Sequence, residues 1–367
     1  MTSAFPHLMS EATRLTRAGD LHAATAAIQA ALRGATPAPR PSRDADIIDV
    51  ESRVVGERPI GTLESKARQS DARPAWAADA PSAGRFIAGS HTDVAGTREY
   101  KLYVPPGYRG QSLPLVVMLH GCTQDPDDFA AGTGMNDAAR ERDFHVLYPA
   151  QAQHVNPSRC WNWFKHNHQR RDRGEPALLA GMTSNVMKRY NVDPHRVYVA
   201  GLSAGGAMAA ILGEAYPELF AAVGVHSGLP PGSARDVKSA FAAMKAGAAA
   251  GASSGTAPPT IVFHGDRDTT VHPVNGERLA AASAGDATPE VMRGRSGQGR
   301  AYTRSVYRSD SGRVVAEHWV VHGAGHAWSG GSARGTYTDA SGPDATEEML
   351  RFFRDAVAGE TDLQRRG

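Results

Sequence analysis

Gly201-Leu-Ser-Ala-Gly205 sets one serine, Ser203, between two glycines directly after the apolar run Val197-Tyr-Val-Ala200 and directly before small and apolar residues that continue to Leu212. A strand that turns sharply into a helix at a serine holds Oγ clear of the backbone. It also puts that oxygen at the positive end of the helix, where a developing oxyanion is stabilised. Glycines on both sides allow the strand and helix to approach closely. The pentapeptide alone is common in a glycine-rich chain; the strand before it and the helix after it make Ser203 a candidate nucleophile. A serine hydroxyl is a weak nucleophile at neutral pH, so the chain must also supply a base, a group that orients the base, and donors for the oxyanion.

In this type of turn the partners follow the serine in the order acid, then histidine. His264-Gly-Asp-Arg-Asp268 follows the apolar run Ile261-Val-Phe263, so both aspartates lie in a loop at the carboxyl end of a strand. Asp268 is the preferred acid, because reaching a histidine requires a residue beyond the first turn, and Asp266 is the alternative. His326, in His322-Gly-Ala-Gly-His-Ala-Trp328, is the candidate base, since the flanking glycines leave its loop free to fold over the serine. His264 and His322 stand at strand ends and read as structural. His166 and His168 lack a Cys, Asp or Glu at metal-ligand spacing, so no metal and no cofactor are expected. The oxyanion requires two backbone N–H groups. Ala204 supplies one, and the other comes from the loop after residues 113–120, with Cys122 the first choice and Thr123 the second.

The elements that must position these residues alternate. Two strand-like segments, 85–90 and 98–104, are followed by the continuous apolar run at 113–121, typical of a strand buried on both faces of a parallel sheet. Helical residues at 135–142, a strand at 144–149, a helix at 178–190 and the strand before Ser203 come next. Strand candidates at 221–226, 260–264 and 318–322 complete the set. This alternation predicts an α/β class, a doubly wound and mostly parallel sheet whose ligands bind at the carboxyl ends of the strands. A last helix is announced by Asp344 with Glu347 three residues on, ahead of the buried stripe Met349, Leu350, Phe352 and Phe353. The Ala/Gly/Ser run at 247–255 reads as a flexible surface insertion.

Three regions are expected: a helical hairpin at 1–33, a largely disordered linker at 34–83 rich in Pro, Arg, Ser and Ala, and a catalytic domain at 84–367. The hairpin is a candidate for self-association or for docking to another body. With 367 residues, 41% hydrophobic and 21% charged residues and a net charge of +2, the chain offers no electrostatic case for nucleic acid or an anionic membrane. No apolar run is long enough to span a bilayer. The first residues carry neither a basic nor an apolar signal segment, which makes the cytoplasm the default expectation. The two cysteines, Cys122 and Cys160, are either buried thiols or a bonded pair.

With these residues in place, the chain resembles the poly(3-hydroxybutyrate) depolymerase family of esterases, which has feruloyl and acetyl-xylan esterase relatives. The resemblance lies in Leu119-His-Gly-Cys-Thr-Gln124, Arg159-Cys-Trp-Asn-Trp-Phe164, Gly174-Glu-Pro-Ala-Leu178, the segment 201–208, His264-Gly-Asp-Arg-Asp-Thr-Thr-Val271 and Gly325-His-Ala-Trp328. It implies an α/β-hydrolase fold, a Ser203, Asp268 and His326 triad, and a disulfide between Cys122 and Cys160 beside the oxyanion loop. It further implies an aromatic substrate surface, for which Trp161, Trp163 and Trp328 are the candidates. The implied activity is hydrolysis of carboxylic esters through an acyl-enzyme, on 3-hydroxybutyrate oligomers, polyester or short-chain esters. A feruloyl or acetyl-xylan esterase is the alternative, and a granule- or partner-binding protein that retains a hydrolase core is the alternative of another class. Family members are largely secreted, which keeps an extracellular location open. Ser329 stands where the family often has proline, and no Thr/Ser-rich linker or separate binding module is evident, which favours short esters or soluble oligomers over crystalline polymer.

Overall fold

Residues 83–248 and 257–364 are described by a computed structural model. The hairpin and nearly all of the linker expected at 1–83, together with most of the insertion at 247–255, lie outside the described residues.

The chain begins with an antiparallel hairpin, β1 (Arg85–Asp93) and β2 (Gly96–Val104). β3 (Leu113–Leu119) and β4 (His145–Pro149) follow, separated by α1 (Pro126–Thr133) and α2 (Met135–Arg142). Then come α3 (Gly174–Arg189), β5 (Val192–Leu202), α4 (Ala204–Ala215), β6 (Ala222–His226) and α5 (Val237–Ala246). The second half continues with β7 (Thr260–Gly265), α6 (Val274–Ala284), β8 (Glu290–Arg295), β9 (Ala301–Arg308) and β10 (Val314–Val321). Two short strands, β11 (Trp328–Ser329) and β12 (Thr338–Asp339), pair with each other before α7 (Ala345–Gln364).

Ten strands form one sheet in the order β1-β2-β4-β3-β5-β6-β7-β10-β9-β8. The six from β4 to β10 are mutually parallel, and an antiparallel pair extends each edge. β3 shows why a continuous apolar run is needed in the middle. Leu115, Val117 and Leu119 enter one hydrophobic cluster with residues of α3, α4 and α6, while Val116 and Met118 enter a second with residues of α1, α2 and α7. Neither face of the strand meets water, so neither can carry polar residues. β8, with its mostly exposed side chains, has no such demand.

Local signals explain the helix ends. Asp125 accepts hydrogen bonds from the amides of Asp127 and Asp128, and Pro126 opens α1, where its missing N–H costs nothing. Asp344 caps α7 through the Glu347 amide at 3.0 Å; the Glu347 carboxylate binds Arg142 instead of completing a reciprocal box. No helix among the described residues is long and apolar enough to cross a membrane.

Candidate active site

β5 ends at Leu202 and α4 begins at Ala204, so the whole turn is one residue, Ser203. Its backbone is held at φ 57° and ψ −118°, a conformation unfavourable for a residue with a Cβ. The surroundings enforce it. A Cβ at Gly201 would collide with the backbone of Gly205 and the Leu119 carbonyl, and one at Gly205 would collide with the carbonyls of Leu119 and His120. The Ser203 amide donates to the His226 carbonyl at 2.8 Å, fastening the turn to the neighbouring strand β6. Ser203 is 8% exposed.

Asp268 lies in the loop after β7 and His326 in the loop after β10. They meet at 2.7 Å, His326 Nδ1 donating to Asp268 Oδ2. The other carboxylate oxygen accepts from the amides of Thr270 and Val271 at 2.8 and 2.9 Å, and His264 Nε2 stands 3.4 Å from Oδ2. Burial pushes the Asp268 carboxyl upward, but the hydrogen bonds from His264 and His326 and the charge of His326 outweigh it and hold the group well below the usual carboxylate range. Asp266, the alternative acid, is turned away: it accepts from His322 Nδ1 at 2.8 Å and from the Gly323 amide at 2.6 Å. The geometry therefore brings His326 to Asp268 and gives Asp266 a separate histidine.

The loop after β3 runs beside the serine; a Cβ on Gly121 would lie 3.7 Å from the Ser203 Cβ. Its amides can be accounted for one by one. Gly121 donates to Gln124 Oε1 at 2.9 Å, Thr123 to the Ser158 carbonyl at 2.7 Å, and Gln124 to the Gly121 carbonyl at 3.4 Å. Among the described residues, Cys122 N–H donates to none. Thr123, the second choice from sequence, has thus spent its donor. Ala204 is the first residue of α4, and its N–H is one of the four that a helix leaves without internal partners.

This loop is held from several sides. His120 is buried, with Nδ1 donating to the Gly121 carbonyl at 2.8 Å and Nε2 accepting from the Gln151 amide at 3.1 Å. Burial lowers its pKa to about 4, so the ring stays neutral in this tautomer. Cys122 is bonded to Cys160. The Cys160 carbonyl accepts from Gln151 Nε2 at 3.0 Å, and the same side-chain nitrogen donates to the buried Glu175 at 2.5 Å. Glu175 also accepts from the Asn162 amide and side chain, both at 2.7 Å, and lies 3.4 Å from Arg98. Nothing in the sequence singled out Gln151 or Arg98; Asn162 and Glu175 were visible only within the Arg159–Phe164 and Gly174–Leu178 segments.

The three tryptophans require a correction. Trp161, Trp163 and Trp328 are 0%, 5% and 1% exposed. Trp161 donates to the His120 carbonyl at 3.1 Å, and Trp163 meets Phe164 edge to face. Trp328 stacks on His226, meets Phe129 edge-on and donates to Thr346 at 3.1 Å. Their rings are occupied by protein contacts and offer no platform to a ligand. Among the described residues, an exposed aromatic beside the loop after β3 is Tyr337, whose hydroxyl is 3.3 Å from Thr123 Oγ1.

A parallel sheet with a serine elbow at the end of one central strand, and an aspartate and histidine on loops from two later strands, defines the α/β-hydrolase class. A solved acetyl xylan esterase from Aspergillus awamori shares this fold, with a TM-score of 0.59 and 20% identity over 73% of this chain and 99% of its own. The family model described as Esterase PHB depolymerase matches residues 98–287, and the chain belongs to that family. The matched segment contains Ser203 and Asp268 and ends before His326. Curated relatives include poly(3-hydroxyalkanoate) depolymerase C of Paucimonas lemoignei, 33% identical over 61% of this chain, and poly(3-hydroxybutyrate) depolymerase of Ralstonia pickettii, 31% identical over 72%. The aligned part spans 57% of the length of each of these two relatives.

Proposed function

We propose that the chain is a serine-type carboxylic ester hydrolase working through an acyl-enzyme at Ser203. The observation that carries this reading is the hydrogen-bonded pair Asp268 and His326 on the loops after β7 and β10, on the same rim of the sheet as a serine held in a strained elbow. In this reading His326 takes the Ser203 proton as Oγ attacks the ester carbonyl. Asp268 keeps Nδ1 protonated and stabilises the imidazolium. The amides of Ala204 and Cys122 receive the oxyanion, and His326 then protonates the departing alkoxide. Water enters, gives its proton to His326, and releases the acid from Ser203 by the same steps in reverse order.

Membership of the family and the names of the two depolymerase relatives support hydroxyalkanoate esters, as oligomer or polymer, as the substrate class. A docking role for residues 1–33, toward granules or a second copy, is the remaining part of the proposal; deleting residues 1–80 separates it from turnover.

The test is labelling by a fluorophosphonate probe, read by mass spectrometry beside hydrolysis of a panel of 3-hydroxybutyrate oligomers, short acyl esters, methyl ferulate and acetylated sugars. Labelling and turnover present in the wild type and lost in Ser203→Ala are the expected result. A folded wild-type protein that neither labels nor hydrolyses any ester would overturn it, and preference for ferulate or acetyl sugars would reassign the substrate class.

A further inference from the structure

His226, the last residue of β6, stands between the strand that carries Ser203 and the strand that leads to Asp268. Its carbonyl accepts the Ser203 amide at 2.8 Å. The residue is 1% exposed, and its ring stacks with Phe263, centroids 5.8 Å apart, and with Trp328, centroids 5.2 Å apart. Nε2 accepts the Ser329 amide at 3.0 Å, which requires that nitrogen to be without a proton, and Nδ1 then donates to Ser227 Oγ at 3.2 Å. Ser329 lies three residues beyond His326. One residue thus holds the nucleophile through its main chain and the base-bearing loop through its side chain.

Other bonds of that loop run elsewhere, among them the one from Ser329 Oγ to the Pro343 carbonyl at 2.6 Å. Trp328 donates to the Tyr337 carbonyl at 2.7 Å and Gly330 to the Asp339 carbonyl at 2.8 Å, along the β11–β12 ladder. The amide of Ser329, between them, has the imidazole as its acceptor, and the residue is buried, so water does not substitute. Burial, with His264 and His326 adding to it, lowers the His226 pKa to about 3, so the acceptor lone pair persists through the working range of an esterase. A charged ring here would both lose that bond and oppose a positive charge on His326.

We propose that His226 is a positioning residue of the triad, setting the distance between Ser203 and His326 through its bond to the Ser329 amide. This rests on the reading of Ser203, Asp268 and His326 as the catalytic set. An error of an ångström in such a distance costs on the order of a hundredfold in rate, so a loosened loop should be visible in kcat.

The experiment compares wild type with His226→Leu, His226→Gln, Ser329→Pro and the His226→Leu/Ser329→Pro pair. Ser329→Pro leaves the imidazole in place and removes the amide donor together with the bond from Ser329 Oγ to the Pro343 carbonyl, which a Ser329→Ala control removes alone, while glutamine at position 226 retains an acceptor oxygen. Each variant is followed by kcat and KM on a soluble short-chain ester and by the low-field proton resonance of the His326 Nδ1–H bonded to Asp268. The expected result is a fall in kcat of about tenfold or more for His226→Leu and for Ser329→Pro, with KM changed less than about threefold, and a broadened or displaced resonance. The pair should lose no more than the worse single change, and glutamine should recover most of the rate. Losses that multiply in the pair, or an unaltered resonance and rate in folded Ser329→Pro, overturn the proposal. If the wild type showed no Ser203-dependent labelling, the triad reading itself would have failed; the resonance would still decide whether His226 holds His326.

Discussion

Replacing both Cys122 and Cys160 by serine separates two roles of one bond. The residues are 38 apart in sequence, and the loop they close contains α1, α2 and β4. Loop-closure entropy for that length gives about 4 kcal/mol of stabilisation, arising in the unfolded chain. For a domain of this size the melting temperature should fall by on the order of 10 °C. The effect on turnover should be much smaller. The Cys122 amide is carried by a loop that His120, Gln124 and Ser158 already hold through five hydrogen bonds, none of which involves a cysteine side chain. Losing one oxyanion donor outright costs roughly a hundredfold to a thousandfold, so a loop kept in register predicts a loss in kcat below about tenfold. Urea unfolding and steady-state kinetics on the same preparation supply both numbers. An unfolding free energy equal to that of the wild type would refute the loop-entropy argument. A hundredfold loss of kcat in a folded variant would show that the covalent tie, and not the hydrogen bonds, sets the amide.

Asp268→Asn should lower kcat by about a thousandfold to ten-thousandfold, as expected when a triad histidine loses its carboxylate partner, whereas Asp266→Asn, whose pair with His322 is half exposed, should stay within about threefold; ester kinetics on both variants distinguish the two acids. Trp328→Ala should cost about 3–5 kcal/mol in urea unfolding, because the ring fills core space between His226 and Phe129; a change confined to KM would contradict this. Buried His120, His145 and His318 have pKa values lowered by burial to about 4, and His226 to about 3. The unfolded chain, with histidines near 6.5, binds more protons between those limits, so their contribution is full above about pH 6.5 and is lost as pH falls toward 4. Each such group contributes a slope of up to about 1.4 kcal/mol per pH unit. His318→Phe, which removes a ring whose Nε2 has no protein partner, should flatten the fall in stability from pH 7 to pH 5 by about that slope, measured by urea unfolding at both values.

Long stretches of the fold were legible because buried parallel strands leave no choice of residue. The runs at 113–119 and 260–265 announce themselves by apolar content alone, and β3 and β7 occupy them. β8 and β9 went unread for the opposite reason. They lie at an edge with mostly exposed or half-exposed side chains, so Glu290-Val-Met-Arg-Gly-Arg295 carries no hydrophobic pattern. α1 is announced only by Asp125-Pro126, a capping signal, because its eight residues are too few to show a clear helical period. α6 opens at Val274 without a side-chain cap, and its sequence gives only a weak periodicity.

The site divides along the same physical line. Ser203 stands out as a one-residue turn flanked by glycines after an apolar strand, and Asp268 and His326 because each sits in a polar or glycine-rich loop after one. The tryptophans misled because an indole suits a ligand surface and a core equally well, and only burial distinguishes them. Histidine carries the same ambiguity, and there are 15 of them in the chain. His120 and His226 look like surplus imidazoles in sequence, yet each accepts one buried amide through Nε2 while its own carbonyl lies against the turn at Ser203–Gly205. The first fixes the loop that offers Cys122; the second joins the Ser203 turn to the His326 loop. Such roles depend on which nitrogen faces which amide across the sheet, a relation between strands that no local spacing encodes. The neutral ring of His226 also keeps additional positive charge away from His326, so that the imidazolium expected there is opposed by no cation at that position.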